Sequence, residues 1–518
     1  MEITPEKIWN RYQKGATYLE RNNVYEDVKI NEDFYDGRQW GNLKDGSMPT
    51  PVFNVLQRAG KFMVATIGSN DIAINLTPFS DLQADVENTN VIKDEIEHII
   101  EQAKIKEKSK EVIRNAFVDG SGYLMQTFNP FFETHQPIKG RVECETVDCT
   151  NVYFGNPYSR DIQGQPYIII AMRQDISMVK KEAKKLKVSE DDIESIMPDN
   201  DSSQANDDSD NLVTVLLMYW KDENEEVHFT KSTEHVFLKK DTKLGYRRYP
   251  LACFGWDVKK NSYLYNSPMT SVIQNQVFIN KCYAIAQMYG LQSAFPKIVY
   301  DKSKVDIDNF LNSTDAQAVA GLDLAGKFID FIKIPDFSNN IIQLGQETIT
   351  QTKEMLGVTN ASLGNMNADN TSAIIQLQTS SAVPLEIQKQ QFYEMWEDVV
   401  RNIIDIIACT YGTREVLTKE QQIASVDFSA LKGLNFNLTV EIGNGAQFSE
   451  ITQINTLDKL VQAGYITPDV YMDIIPSKYL PQKAKLIENY RQVQQANQMG
   501  QPITQPRGST TSDDTTPL

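Results

Sequence analysis

The chain has 518 residues, 41 % of them hydrophobic, enough to bury sizeable cores over roughly three domains' length. A formal charge of −18 and a pI near 4.8 exclude a protein that grips nucleic acid through a basic surface. No run reaches the roughly 18 apolar residues of a membrane span, MEITPEKIWN lacks the layout of a signal peptide, and five cysteines fit reduced thiols; the expectation is a chain made and kept in a cytoplasm.

In chain order, a helix-compatible pattern runs through Tyr35 and breaks at Asp36-Gly37. Val52, Val55, Leu56, Ala59, Phe62, Met63 and Ile67 recur near helical spacing from Pro51 to Gly68, and Ile72 to Leu76 alternates like a strand before Pro78. One charged amphipathic helix is expected from Leu82 to Val118, ended by Asp119-Gly120-Ser121-Gly122. Strands follow at Tyr123 to Phe128, Val142 to Thr146, Tyr167 to Arg173, Leu212 to Trp220 and Val227 to Thr230, making this part α+β. PDNDSSQANDDSD, residues 198 to 210, carries five aspartates and no base, which predicts a mobile surface loop.

From Ser267 the character changes. Ser267 suits an N-cap and Pro268 the first helical position of a helix to Gly290, roughly 36 Å long. Val272, Ile273, Val277, Phe278, Ile279, Ile285 and Met288 spread around it, with Lys281 the only charge, so burial on most sides is expected. A short strand-and-turn insert from Leu291 to Pro335 leads to a second helix at Asn340 to Leu356. Beyond a loop, Ile374, Leu377, Phe392, Trp396, Val399, Ile403 and Ile407 mark a helix of about 40 residues, roughly 60 Å, bent by Pro384. Phe436, Leu438, Val440 and Ile442 alternate as a half-buried strand ended by Gly443-Asn444-Gly445. Three helices are then expected, the first stopped at Gly464, the second starting at Thr467-Pro468-Asp469, the third at Lys483 to Gln494, before a disordered Gln-, Ser-, Thr- and Pro-rich tail.

Signs of chemistry are few. His98, His135, His228 and His235 sit in no H-E-x-x-H pattern, and Cys144 and Cys149 lack the second pair that metal-site spacing needs. The glycines of DGSGYL follow a helix and precede a strand, the reverse of a phosphate cradle, and read as a turn. Glu32, Asp33 and Asp36 could face a metal but are better read as solvated acids. Lys180, Lys181, Lys184, Lys185 and Lys187, followed by acids at Glu190 to Glu194, read as a solvated helix face. Neither a catalytic residue, a metal nor a cofactor is expected.

One loop is unusual in what it omits. The 35 residues between Lys353 and Lys389 contain neither Lys nor Arg, and LGVTNASLGNMNADNTSAI, residues 356 to 374, is small and amidic.

NEDFYDGRQW (31 to 40), PVFNVLQRAGKFMVATIGSNDIAINLTP (51 to 78), DGSGYL (119 to 124) and LVQAGYITPDVY (460 to 471), with the order of elements around them, resemble the portal proteins of tailed bacteriophages from about residue 5 to 490. The resemblance implies an α+β subunit with an α/β wing (1–266), stem helices (267–290 and 336–357), a small α/β clip insert (291–335), a tunnel loop (358–371), a long kinked wing helix and strand (372–445), a helical crown (446–494) and a disordered tail (495–518). It further implies a ring, of twelve subunits, at one capsid vertex of the virion, assembled in the host cytoplasm. Double-stranded DNA would pass along its axis without sequence-specific binding. The implied partners are the terminase large subunit, a head-tail adaptor and the major capsid and scaffolding proteins, with no membrane. Asn365, Met366, Asn367, Asp369 and Asn370 would line the channel, and Asp301, Lys302, Lys304 and Asp306 would help dock motor or adaptor. The loop's composition agrees, since a ring of lysines would release counterions and hold DNA, whereas amides let it slide. Another head-tail connector or assembly protein is the alternative; a metal-dependent nuclease would need a convergent acidic or histidine site.

Overall fold

Asn23 and Lys104 decide how the first hundred residues fold. Both adopt left-handed backbone, at φ 57° and 52°, and each splits what the sequence predicts as one continuous helical stretch. The computed structural model describes residues 3–41, 48–68, 72–78, 83–133, 138–199, 211–294, 298–301, 318–321, 329–331, 339–358, 385–417, 423–433 and 436–442, with 457, 459, 461, 465, 466 and 471 beyond them. In it α1 (Pro5–Arg21) ends at Asn22 and α2 (Val24–Tyr35) begins after Asn23. α3 spans Val55–Gly68 and β1 Ile72–Pro78, and the expected helix from Leu82 to Val118 is two, α4 (Gln83–Gln102) and α5 (Ile105–Asp119). The physical reason for the second break is a slip in the apolar rhythm. Ile92, Ile96, Ile99 and Ile100 are buried at helical spacing, but the next buried position is Ile105, five residues on, so the chain turns at Lys104 to restart the stripe.

α5 runs into β2 (Ser121–Asn129) through Gly120, whose φ of +96° suits glycine; a Cβ there would stand 2.4 Å from the Tyr265 carbonyl oxygen. β2 is the centre of an antiparallel sheet, flanked by β3 (Arg141–Asp148) and β9 (Leu251–Gly255). The second sheet is an antiparallel five-strand meander of β4 (Val152–Phe154), β5 (Tyr167–Asp175), β6 (Leu212–Lys221), β7 (Val227–Ser232) and β8 (Phe237–Lys243). Between β5 and β6 lie α6 (Ile176–Lys185), capped by Asp175, and α7 (Glu190–Glu194), capped by Ser189. α6 carries the lysines expected on a solvated helix face, while α7, β4, β8 and β9 do not show in the periodicity. The expected mobile loop lies, from residue 200 to 210, outside the described residues. β10 (Asp257–Val258) and β11 (Tyr265–Asn266) form a two-residue ladder before α8 (Pro268–Ala294), four residues longer than expected.

Past α8, β12 (Ile298–Asp301) pairs parallel with β13 (Ala318–Gly321) and antiparallel with β14 (Ile329–Phe331), the sheet of the expected insert. α9 (Asn340–Met355) and α10 (Glu386–Thr410) follow. The expected part of the long helix from Ser372 through Pro384 lies outside the described residues. α10 returns to the body: its buried Phe392, Met395, Trp396, Val399 and Ile403 join the core that holds Leu124, Val142 and Phe254. Asn402 donates to Gln126 Oε1 at 2.9 Å, while Arg248 reaches Asn402 Oδ1 at 3.0 Å and Asp398 at 2.6 Å. β15 (Thr413–Leu417) and β16 (Ile423–Asp427) then form a hairpin, and β17 (Phe436–Ile442) pairs with β1, placing the expected alternating strand in a sheet. The architecture is α+β. The chain divides into two compact units, Met1–Glu441 and Ile442–Leu518; the three expected C-terminal helices, the Gly443-Asn444-Gly445 turn and the tail fall in the second, almost entirely outside the described residues.

Candidate functional site at the paired helices

α8 and α9 pack against each other, and α8 is rooted in the body by a row of side-chain hydrogen bonds. Ser267 caps it as the sequence predicts: its hydroxyl accepts from Met269 N at 3.0 Å and donates to the Phe117 carbonyl at 2.8 Å. One turn of helix on, Asn31 of α2 donates to the Val118 carbonyl at 2.7 Å and to Thr270 Oγ1 at 3.0 Å. Gln276 then clamps the segment before α3 by donating to the Phe53 carbonyl at 2.8 Å and accepting from Val55 N at 3.1 Å. Asn280 accepts from Phe53 N at 3.2 Å and donates to Gln39 Oε1 at 2.6 Å, and Gln39 donates to the Phe34 carbonyl at 2.8 Å. Tyr283 closes the row with its ring 4.1 Å from that of Phe53.

Gln276, Asn280, Gln39 and Asn31 are all buried. Sequence reasoning missed them, treating α8 as an apolar rod. The signal was there in Gln276 and Asn280, two amides four residues apart and so on one face of the helix. Buried amides so placed must be hydrogen-bonded; besides the bond between them at 3.1 Å, Gln276 and Asn280 bond Phe53, Val55 and Gln39 and so tie α8 to the segment before α3.

Burial on most sides does not extend along all of α8. Met269, Val272, Ile273 and Ile279 are buried, but Phe278 and Ile285 are each 40 % exposed, Leu291 is 55 % exposed, and residues 290–294 are all exposed. On α9 Leu344 and Met355 are likewise exposed. The expected burial on most sides therefore holds for the first half of α8 only, and α9 covers part of the rest.

The other sequence candidates take ordinary places. Asp301 ends β12 opposite Gly321, half-buried; Lys302, Lys304 and Asp306 lie outside the described residues, as do Asn365, Met366, Asn367, Asp369, Asn370 and His135. Cys144 and Cys149 are buried, and burial pushes the Cys144 thiol up to about 12 and that of Cys149 well above its usual value. Glu32 ion-pairs with Arg114, and Asp33 with Arg38 at 2.7 Å. His228 stacks on Trp220 and meets Asp241 at 2.8 Å, His98 meets the Gln102 side chain, and His235 is exposed beside Glu234. Lys181, Lys184, Lys185 and Lys187 are exposed around the end of α6. Among the described residues, no group of three or more His, Cys, Asp or Glu could hold a metal ion, and no helix is long and apolar enough to cross a membrane.

The sequence matches the family model of phage P22-like portal proteins over residues 10–231 and 178–506, nearly its whole length. The chain belongs to the P22-like portal family. No curated protein matches it significantly. Among the described residues the α8–α9 pair is left partly uncovered.

Proposed function

We propose that this portal-family chain forms a ring, of twelve subunits, at one vertex of the capsid, through which viral DNA is packaged and later ejected. The observation that carries the reading is the apolar surface left by α8 and α9: Phe278, Ile285, Leu291, Leu344 and Met355 face solvent in the lone subunit. Apolar exposure repeated along one helix pair supports an association surface, and a head-to-tail contact repeated with closure gives a ring.

In this reading residues 1–266 with 372–445 are the wing, 267–290 and 336–357 the stem, 291–335 the clip, 358–371 the tunnel loop, 446–494 the crown and 495–518 a tail. The amide row rooting α8 supports a stem held rigidly by the wing. The clip, with Asp301, Lys302, Lys304 and Asp306, would dock the terminase large subunit during packaging and a head-tail adaptor afterwards, while the wing and crown meet major capsid and scaffolding proteins. The tunnel loop, with Asn365, Met366, Asn367, Asp369 and Asn370, lines the channel and lets DNA slide, its lack of lysine and arginine fitting passage without grip. The subunit itself hydrolyses neither ATP nor DNA, so the energy of packaging comes from a separate motor.

Electron microscopy of the purified protein viewed down its axis tests this. A closed ring with a central hole is expected. A stable monomer at micromolar concentration and physiological salt overturns the ring, and an ATPase or nuclease activity that copurifies with the chain and is lost on its mutation overturns the passive channel.

A further inference from the structure

The C-terminal end of α5 is the socket into which α8 is set. Three successive carbonyls there are all taken: Phe117 O by the Ser267 hydroxyl, Val118 O by Asn31, and Asp119 O by the Cys149 thiol. Gly120, next in line, packs on Tyr265 and accepts from Trp256 N at 2.8 Å. The aligned peptide dipoles at a helix C-terminus make this a place of negative potential even with its carbonyls hydrogen-bonded. Asp119 adds a carboxyl to it.

That carboxyl is poorly served. Its Oδ1 is buried with no hydrogen-bond partner, and it lines a cavity of about 360 Å3 shared with Asp27, Asn31, Cys149, Lys259 and Thr270 of the α8 root. The charged and titratable groups around it come from every side. α2 offers Glu32 and Asp27, α5 offers Arg114, the end of β3 offers Asp148, the turn after it the Cys149 thiol, and the link into α8 offers Lys259. Arg114 is the cation that acts on it, and Arg114 is already engaged by both oxygens of Glu32. Acids therefore outnumber available cations around a side chain that has no hydrogen bond to lose at Oδ1.

We propose that Asp119 is a proton-operated latch on the root of α8: neutral, it lets the socket close on Ser267 and Thr270; ionised, it loosens that socket and frees the first turns of the helix. Burial foremost, then Glu32, holds the carboxyl up at about 8, with Asp148 adding to the effect and Arg114 opposing it. Because the folded value lies above the ordinary carboxylate range, the closed socket is fully favoured at low pH and weakens as pH rises towards and through 8. The latch acts on how firmly α8 is set in this chain, whatever passes beside it.

Hydrogen exchange on the assembled full-length protein tests this, with rates corrected for the intrinsic effect of pH. Protection of the amides from Ser271 to Val277 should fall at least about tenfold between pH 6.5 and 9, as one coupled proton allows. Asp119→Asn should hold that protection constant across the range. Should Asp119→Asn fail to fold, Asp148→Asn, which still offers an oxygen to Asn115, decides: removing a repelling charge should move the midpoint to higher ionisation at a given pH, that is, downward in pH. Wild-type protection that does not change with pH overturns the latch, as does an unaltered pH dependence in Asp119→Asn or an unmoved midpoint in Asp148→Asn.

Discussion

Gly345 of α9 lies against Cys282 of α8 so closely that a Cβ on the glycine would stand 3.3 Å from the cysteine's own. The two helices meet here with no side chain between them on one side. Gly345→Leu should wedge them apart at an overpacking cost of about 1–3 kcal/mol. The expected result is a normal far-ultraviolet spectrum with a reduced fraction of ring in sedimentation. Undiminished assembly would mean that the spacing of α8 and α9 is not part of the subunit interface.

The bond from Asn280 to Gln39 gives a second prediction. Removing either partner strands the other's buried amide, so Asn280→Leu or Gln39→Leu should each destabilise by about 1–3 kcal/mol. The double variant should cost less than the sum, since the desolvation penalty is then counted once. A double-mutant cycle in urea measures this; strict additivity would show that the two amides do not act as a unit.

Glu95 on α4 offers a test by pH. Burial holds its carboxyl up at about 7 against the pull of the Arg414 guanidinium. Folding therefore takes up a proton between the ordinary carboxylate range and pH 7. The stability that this group contributes is full below about pH 4.5 and declines towards pH 7, by at most about 1.4 kcal/mol per pH unit. Glu95→Gln should flatten that part of the stability curve, so that its melting temperature exceeds the wild type's by more at pH 8 than at pH 5. An equal difference at both values would rule the group out as the titrating one.

The tunnel assignment is tested by charge. Asn365→Lys with Asn367→Lys adds two cations per subunit around the axis, many within a Debye length of about 8 Å of passing phosphates at physiological ionic strength. Rings should form, but DNA passage should slow or stall, and added salt should relieve the block with a slope of about 0.9 per phosphate contact. Lys240→Glu, at an exposed position of β8, serves as the control that leaves passage unchanged. Equal packaging rates for the double-lysine ring and the wild type at low and high salt would remove these residues from the channel.

Much of the fold was legible because its strongest signals are local. Ser267-Pro268 announced a helix start that the Ser267 cap confirms, and the apolar run Leu212 to Trp220 and the alternation of Phe436 to Ile442 announced strands. The breaks at Asn23 and Lys104 were not legible, because each is forced by where the apolar stripe must land in the tertiary core and neither carries glycine or proline. The short strands β4, β10 and β11 hold two or three residues apiece, too few to show a period. At the candidate site the apolar positions of α8 could be read, but not which of them a single subunit leaves uncovered. The rooting amides stayed hidden because their partners, such as Gln39 for Asn280, are some 240 residues away in sequence.

α10 finally sets an order of events on the ribosome. Phe392 packs edge-on against Phe254, Asn402 binds Gln126, and Arg414 donates to the carbonyls of Ile138 and Gly140. The body begun before residue 267 is thus closed by side chains that emerge about 150 residues after β9. At roughly 5–20 residues per second this leaves the surface around β2 and β9 bare for roughly 7 to 30 s in each round of translation. α8 and α9, with their uncovered apolar side chains, are made inside that interval. Neighbouring nascent chains on one message therefore present sticky arms before their bodies are finished, and the hazard of premature pairing follows from chain order alone.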